Sequence, residues 1–290
     1  MNQTSIGKFI LTGEHSVVYG EPALVAGLDK HITVELLEGD NQEISEYTAY
    51  IFALFEKRYG VDTTKLSVRA VSEIPQNSGL GSSAAFAHAV IKALVNYFSK
   101  TISKDEMFDL VYQSEVFIHK KPSGIDPCAV VYGGVHLFQK DLQQKTFFKQ
   151  KIQFPHSYKF LLVNSGKATE STGEMVTFVS DTLKKNPAVL DTIKSIGKIS
   201  REIQTQLVSE SFTGELLDKN EQELEKLGVV GKHAQKIIHE LTKIGAHAKI
   251  TGAGGVQTGS GWILAWSEDL NRVEQFCIQN GWEYFVTEVQ

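Results

Sequence analysis

The sequence predicts an α+β protein, and three features of its apolar pattern support this fold class. Short runs that alternate apolar and polar residues, such as residues 66–71, are typical of strands with one buried face. Longer segments with apolar residues on one side, such as residues 48–59, are typical of amphipathic helices. Both kinds of segment recur in each half of the chain, which indicates helices that cover one face of a mostly antiparallel sheet.

The first half is predicted to contain strands followed by helices. Residues 83–98 favour a helix buried between layers, because alanine and other apolar side chains occupy most of its sides. The next helix begins at Ser103, since Ser103 and Glu106 fit a capping box, and it stops before Pro122. The predicted strands are 9–11, 32–37 and 66–71, and the predicted helices are 48–59, 83–98 and 103–119.

The second half follows a predicted hairpin, in which residues 130–139 and 146–154 pair across a polar turn. We place the boundary near Pro155, which predicts one domain at 1–155 and another at 156–290. Beyond the boundary the predicted strands are 159–164, 248–251, 261–266 and 284–289, and the predicted helices are one that begins at Ser171, polar helices up to residue 227, 232–244 and 270–279.

The composition of the 290 residues excludes several classes of function. With 29 Lys and Arg against 34 Asp and Glu the formal charge is −5, which argues against a protein that coats nucleic acid. The two cysteines, Cys128 and Cys277, cannot form a disulfide framework and are typical of buried thiols in a reducing compartment. No run of about 18 apolar residues lacks a charge, so we expect no membrane span and a cytoplasmic protein.

The most informative stretch is residues 75–85 (PQNSGLGSSAA), which join a predicted strand to the buried helix. Gly79 and Gly81 allow backbone conformations that expose several N–H groups, and the helix adds its positive dipole end, so the stretch suits phosphate oxygens. It lacks the Gly-Lys-Ser/Thr triplet of a Walker A loop, and no acid follows at the distance that a dinucleotide site requires. Taken alone, it fits a plain tight turn equally well.

Three further segments contain residues that could take part in catalysis or binding. Glu115 lies near the end of the predicted helix 103–119, and Asp126 follows in a loop whose backbone is restricted by proline and glycine. Isolated acids of this kind are more often surface or turn residues. Residues 249–255 (KITGAGG) are a strand that runs into glycines, which also fits a hairpin. Residues 7–15 (GKFILTGEH) bring Lys, Glu and His close to a strand.

Taken together and in this order, these segments resemble the motifs of the GHMP small-molecule kinases. Residues 7–20 (GKFILTGEHSVVYG) and 115–126 (EVFIHKKPSGID) are most similar to the members that phosphorylate mevalonate. The resemblance extends over nearly the whole chain. It implies a ribosomal-S5-like N-terminal domain and a ferredoxin-like C-terminal domain that closes the substrate cleft, with ATP and substrate bound between them.

The resemblance assigns roles position by position. Asp126 matches the catalytic aspartate and Lys8 the lysine that pairs with it, while Ser83 and Glu115 match the Mg²⁺ ligands. The residues implied to contact the substrate are Glu14, His15 and Thr172. The residues implied to contact ATP are Pro75, Ser78, Gly79, Leu80, Gly81, Ser82, Ser83, Ala84, Gly252, Ala253 and Gly254.

The implied activity is ATP- and Mg²⁺-dependent phosphorylation of the C5 hydroxyl of mevalonate to 5-phosphomevalonate, in isoprenoid biosynthesis. Asp126 would orient the hydroxyl and accept its proton, because phosphoryl transfer needs orientation and charge neutralisation more than a strong base. The expected partner is this small molecule and neither nucleic acid nor a membrane, and a homodimer is left open.

Departures from the family pattern keep alternatives open. Residues 256–260 lengthen the glycine motif at residues 249–255, and Glu170 stands where a basic residue is common in the family. Lys120 and Lys121 precede the Pro-Ser-Gly triplet and fit a solvated pair of side chains. They could also bind a carboxylate or an extra phosphate, so a family member that acts on phosphomevalonate stays an alternative. A catalytically silent ligand sensor on the same fold is the other alternative.

Overall fold

A computed structural model describes residues 2–39, 43–75, 78–120 and 122–289. The helices in these ranges are α1 (Glu46–Tyr59), α2 (Ser82–Tyr97), α3 (Lys104–His119), α4 (Ile125–Tyr132), α5 (Thr172–Lys185), α6 (Val189–Val208), α7 (Glu215–Leu227), α8 (Lys232–Lys243) and α9 (Leu270–Gln279), with a 3₁₀ turn at Ser16–Tyr19. The strands are β1 (Asn2–Thr12), β2 (Ala23–Glu38), β3 (Leu66–Ser72), β4 (Val135–Asp141), β5 (Thr146–Ile152), β6 (Tyr158–Asn164), β7 (His247–Thr251), β8 (Trp262–Trp266) and β9 (Tyr284–Val289).

The predicted α+β class is confirmed, and one predicted strand is partly wrong. Residues 130–139 were expected to form a strand, but residues up to Tyr132 belong to α4 and the strand begins at Val135. The run from Pro127 to Val131 is apolar without alternation, and all of its residues are buried. Such a run does not distinguish a buried helix from a buried strand, which explains the error.

Contacts divide the described residues into two compact units. The first unit falls within Met1–Lys8, Gly27–Gln76 and Leu80–Gly133, and the second falls within Phe9–Ala26, Asn77–Gly79 and Gly134–Gln290. The long strands β1 and β2 contribute residues to both units. The predicted domain boundary near Pro155 stays a prediction.

In the first compact unit, α2 packs against α1, α3 and α4. Its small buried residues, which include Ala85 and Ala89, allow this close approach on several sides. β2 pairs antiparallel with β3, in a register that matches Ile32 with Ser72 and Glu38 with Leu66. The sequence prediction of a buried, alanine-rich helix is therefore confirmed.

The second compact unit contains an antiparallel sheet in the order β7-β8-β6-β9, with α7, α8 and α9 packed on its strands. Alternate strand residues such as Leu161, Ile250 and Ile263 form the core together with residues of the helices. β4 pairs with β5 and with residues 23–26 of β2. Most residues of β6, β7 and β8 are buried, so little of either face of the β7-β8-β6-β9 sheet is exposed along these strands.

The described strands also form a second sheet, in which the order is β1-β2-β4-β5 and β3 pairs with β2. Cys128 and Cys277 are both buried, and neither forms a disulfide. Among the described residues, no helix combines the length and the apolar character needed to cross a bilayer.

Candidate active site

A buried ion pair joins Lys8 of β1 to Asp126 of α4. Lys8 Nζ lies 3.0 Å from Asp126 Oδ1, and the lysine side chain is 3% exposed while the aspartate side chain is 25% exposed. Asp126 is the second residue of α4, so the start of this helix determines where its carboxylate lies. The pair therefore presents a partly accessible carboxylate beside a buried cation.

The turn before α2 packs directly on Lys8. Gly81 caps the helix at φ 74°, and a Cβ atom on it would lie 2.7 Å from Lys8 Cγ. The Lys8 backbone N–H also donates to the Leu80 carbonyl oxygen at 3.0 Å. Position 81 therefore requires glycine, and the turn that was predicted to bind phosphate contacts the lysine of the ion pair.

The N-terminus of α2 can bind an anion. The helix begins at Ser82, and among the described residues no side chain caps it. The first-turn N–H groups belong to Ser82, Ser83 and Ala84, and an α-helix offers them no acceptor of its own. Because the helix dipole is positive at this end, phosphate oxygens are suitable acceptors.

Ser83 and Glu115 meet at the hydroxyl of Tyr47, a residue of α1. Tyr47 Oη lies 3.2 Å from Glu115 Oε1 and 3.4 Å from the Ser83 carbonyl oxygen. Burial, together with the charge of Glu115, raises the pKa of the Tyr47 phenol, so it stays protonated and can donate. The ring stacks on Phe117 and packs against Phe86, which holds the hydroxyl in place.

His119, the last residue of α3, contacts the same carboxylate. His119 Nε2 lies 3.3 Å from Glu115 Oε2. Burial by itself lowers the pKa of His119, but the hydrogen bond and charge of Glu115 outweigh it, with a further contribution from Asp126, and the net shift is upward. Glu115 is thus held from two sides, by Tyr47 and His119.

The oxygen donors near Glu115 fit a magnesium ion. The Glu115 carboxylate and the Ser83 hydroxyl are hard ligands, which Mg²⁺ prefers, and this ion usually completes its coordination with water and substrate phosphates. The described part of the chain contains no group of three or more His, Cys, Asp or Glu side chains that could hold a metal ion. The donor set therefore suits an ion shared with a phosphate ligand better than a metal enclosed by protein.

In the second compact unit, Glu14 and His15 form the turn that follows β1. His15 has φ 59°, and its Nε2 lies 2.9 Å from the Ala253 carbonyl oxygen. Burial lowers the pKa of His15, and the bond to Ala253 opposes this only in part, so the imidazole is neutral at neutral pH. Glu14 is buried and forms an ion pair with Lys249 of β7.

The glycine loop after β7 lies beside part of the first glycine stretch. A Cβ atom on Gly252 would be 3.6 Å from Gly79 Cα, and the Ser78 carbonyl oxygen would be 3.1 Å from a Cβ atom on Gly261. Gly254 is required, because a Cβ atom there would lie 2.0 Å from the Val229 carbonyl oxygen. Two glycine segments that are far apart in the sequence are therefore neighbours.

The longer loop at residues 256–260 is anchored at its end. Ser260 Oγ accepts a hydrogen bond from the Gly231 N–H at 2.8 Å, and the Ser260 N–H donates to Ser165 Oγ at 3.0 Å. Thr172 is exposed at the first position of α5, between Ser171 and Glu174, which form the capping box of this helix. Hydrogen bonds therefore hold both the end of the 256–260 loop and the start of α5.

The predicted site residues divide between the two compact units. The first unit contains Lys8, Pro75, Leu80, Gly81, Ser82, Ser83, Ala84, Glu115 and Asp126, and the second contains Glu14, His15, Ser78, Gly79, Thr172, Gly252, Ala253 and Gly254. Lys120 is exposed at the end of α3, whereas its neighbour Lys121 lies outside the described residues, as do Gln76 and Asn77 of the first glycine stretch.

Sequence reasoning missed two residues of these clusters. Tyr47 belongs to a helix face whose aromatic residues are typical of ordinary core packing. Nothing in the sequence therefore indicates a functional role for its hydroxyl. Lys249 had a signal that was not used: it is a lysine between Ala248 and Ile250 in a short predicted strand. A charged side chain in such a strand is expected to have a buried partner.

The chain is similar in sequence to a known protein family and to individual relatives. Residues 46–134 match the model of the GHMP kinases N terminal domain. The chain is 34% identical over 261 residues to the mevalonate kinase of Archaeoglobus fulgidus, with 86% of this chain and 87% of the relative covered. It is 30% identical over 266 residues to the mevalonate kinase of Methanothermobacter thermautotrophicus, with 86% and 85% covered.

Comparison with solved structures gives a consistent result. The structure of the Methanococcus jannaschii mevalonate kinase superimposes with a TM-score of 0.85 at 25% sequence identity, and the match covers 100% of this chain and 98% of that one. The similarity therefore includes both compact units and not only the segment that the family model matches.

Proposed function

The chain belongs to the GHMP kinases, and within them to the mevalonate kinases, and from this premise we infer that it transfers a phosphoryl group from ATP to mevalonate. We propose that the C5 hydroxyl is the acceptor, which makes 5-phosphomevalonate for isoprenoid synthesis. The observation that carries the proposal is the Lys8–Asp126 pair in contact with the turn that opens α2. This arrangement combines a phosphate-binding helix start with a carboxylate that can receive a hydroxyl proton.

The phosphates of ATP are proposed to bind at the start of α2. The N–H groups of Ser82, Ser83 and Ala84 would donate to phosphate oxygens, and the dipole of the helix would favour their negative charge. Pro75, Ser78, Gly79, Leu80 and Gly81 would shape the approach to this helix, and Gly252, Ala253 and Gly254 would complete the nucleotide contacts.

Asp126 is proposed to orient the substrate hydroxyl and to accept its proton as the oxygen–phosphorus bond forms. In phosphoryl transfer most of the rate enhancement comes from alignment and from stabilised charge, so the weak basicity of a carboxylate is sufficient. The Lys8 ammonium fixes the carboxylate by a buried hydrogen bond and offsets negative charge on the transferred group. Transfer then breaks the bond between the γ-phosphorus and the β,γ-bridging oxygen, which leaves ADP.

Ser83 and Glu115 would hold the magnesium ion. Such an ion would neutralise the negative charge that develops on the leaving group. Tyr47 and His119 keep the Glu115 carboxylate oriented through hydrogen-bond contacts at 3.2 Å and 3.3 Å. We assign Tyr47 and His119 supporting roles at the proposed metal site.

Glu14, His15 and Thr172 are proposed to serve the mevalonate side of the reaction. A neutral imidazole such as His15 can donate or accept hydrogen bonds to the hydroxyl and carboxylate groups of this substrate. We also propose domains at 1–155 and 156–290 and a cytoplasmic location, and the location is supported by the two buried cysteines, Cys128 and Cys277, which form no disulfide.

The test is a substrate panel with the purified chain. ADP release would be measured with ATP, Mg²⁺ and either mevalonate, phosphomevalonate, homoserine or galactose, and ³¹P–¹H NMR of the product would identify the phosphorylated carbon. We expect turnover with mevalonate and phosphorus coupling to the C5 protons. Turnover with phosphomevalonate alone would replace the proposed substrate, and no turnover with any of the four compounds would favour a ligand sensor.

A further inference from the structure

A buried lysine that the proposed chemistry does not use lies next to the Glu14–His15 turn. The Lys249 side chain is fully buried, and its ammonium donates to the Glu14 carboxylate, to the Ile10 carbonyl oxygen at 3.3 Å and to the Ile250 carbonyl oxygen at 2.6 Å. A buried charge of this kind is strongly unfavourable unless it is paired and hydrogen-bonded, as it is here. Lys249 thus joins β7 to the end of β1.

Both oxygens of Glu14 are engaged inside the protein. Oε1 pairs with Lys249, and Oε2 lies 3.5 Å from Asn220 Nδ2. Asn220 in turn accepts a hydrogen bond from the Thr12 hydroxyl at 2.5 Å. With 1% of its surface exposed, Glu14 has almost no surface to offer a substrate, so its influence must pass through its neighbours in the chain.

The same two segments are joined again by the side chain of Thr251. The Thr251 hydroxyl accepts from the Ile10 N–H at 2.8 Å and donates to the Ile10 carbonyl oxygen at 3.1 Å. Two residues after Thr251, the Ala253 carbonyl oxygen contacts His15 Nε2 at 2.9 Å. His15 is therefore restrained through its backbone by Glu14 and through its ring by the loop after β7.

His15 needs such restraint because its backbone is strained. A φ of 59° is uncommon for a non-glycine residue and persists only where the surroundings over-determine it. The Lys249–Glu14 pair supplies this restraint from a position without solvent access. Glu221 is the other acid near Lys249, but burial raises its pKa to about 8, so Glu14 is the main counter-charge at neutral pH.

We propose that Lys249 is a positioning residue for substrate binding: through Glu14 it holds the strained His15 turn against the Ala253 carbonyl. The kinetic part of this inference rests on the proposed function, in which His15 serves mevalonate. The structural part, restraint of the His15 ring, does not depend on the substrate.

The kinetic test compares Lys249→Met with the double variant Glu14→Gln/Lys249→Met. Lys249→Met leaves a buried carboxylate without its cation, so it lowers thermal stability, and the double variant removes both charges and restores much of it. We expect the KM for mevalonate to rise about tenfold or more in both variants, with a smaller change in kcat, because misplacement of a binding group mainly weakens substrate binding. A double variant with the parental KM would overturn the positioning role.

The matched control is Ile237→Ala, which leaves a cavity where α8 packs in the core of the same compact unit. It should lower the melting temperature while the KM for mevalonate stays unchanged. An equal rise in KM in this control would show that any destabilised variant loses substrate affinity, and it would also overturn the proposal.

A readout without substrate is the NMR titration of the His15 imidazole. In the parent chain the ring should titrate below the ordinary value of about 6.5, and in the double variant its pKa should move up toward that value as the ring gains access to water. Identical His15 titrations in both proteins would refute the restraint. If the parent chain fails to phosphorylate mevalonate, the proposed function fails, and this titration still decides whether Lys249 holds His15.

Discussion

The side chain of Lys8 occupies the space that a Cβ atom on Gly81 would need. The two positions are 2.7 Å apart when the Cβ is measured to Lys8 Cγ, which is far closer than carbon atoms approach without a bond. The turn that opens α2 is therefore in close contact with the lysine that pairs with Asp126. A side chain added at position 81 must displace Lys8.

We expect Gly81→Ala to displace Lys8 from Asp126 and to lower kcat/KM by at least about tenfold. The matched comparison is Gly60→Ala, because Gly60 also has a positive φ, 63°, and an added Cβ there would meet nothing within 4 Å. Both variants carry a left-handed strain of about 1 kcal/mol, so the difference between them isolates the contact with Lys8. Equal losses in steady-state assays of the two proteins would contradict the packing argument.

Asp126→Asn should lower kcat by about 10²–10⁴, the usual loss when a general base is removed. ATP affinity, measured by fluorescence titration, should change little, because the helix start that is proposed to bind phosphates stays intact. The control is Asp109→Asn, the same charge change on an exposed residue of α3. A rate for Asp126→Asn within about tenfold of the parent would remove Asp126 from the reaction.

Sequence reasoning found the parts of the site that local patterns mark. The glycine–serine turn before α2 and the capping boxes that start α3 and α5 depend on a few neighbouring residues, so the sequence alone places them. Asp126 and Lys8 are 118 positions apart, and only the family resemblance paired them before the structure showed a distance of 3.0 Å. Patterns of periodicity contain no information on such long-range pairs.

The residues that sequence reasoning missed owe their role to tertiary packing. Tyr47 is one of several aromatic residues on α1, and only the approach of α3 brings Glu115 to its hydroxyl. Lys249 has a counter-charge only because the end of β1 lies beside β7. Residues 130–132 were wrongly expected to form a strand for a related reason. A segment that is buried on nearly all sides shows no alternation of apolar and polar residues, and this alternation is what identifies a strand.

Tyr47→Phe should weaken the proposed magnesium site with little loss of stability. The change removes the hydroxyl that lies 3.2 Å from Glu115 Oε1 but keeps the ring that stacks on Phe117. We expect the Mg²⁺ concentration that gives half-maximal activity to rise about tenfold or more, in line with the loss of one partner to a metal ligand. Tyr50→Phe is the control, because Tyr50 also packs on Phe117, and an equal Mg²⁺ dependence in both variants would exclude a role for the Tyr47 hydroxyl.

The contribution of Glu221 to the free energy of unfolding should fall as the pH rises from about 5 to about 8. Burial raises its pKa from 4.5 to about 8, so the folded chain keeps a proton that the unfolded chain has lost. Where the folded state binds more protons than the unfolded state, the free energy of unfolding decreases with rising pH. The contribution of Glu221 is therefore fully present below its unfolded pKa and is lost as the pH passes through the folded value.

Glu221→Gln should flatten this dependence, because glutamine stays neutral and its carbonyl can still accept the Ile250 N–H that Glu221 Oε2 accepts at 2.9 Å. Urea unfolding at pH 5, 6, 7 and 8 would measure the free energy of unfolding of both proteins. The two curves should be close at pH 5, where the acid is protonated in the folded chain, and the variant should be the more stable one at pH 8. Parallel curves over the whole range would mean that Glu221 is ionised in the folded protein, and Lys249 would then be shared between two carboxylates.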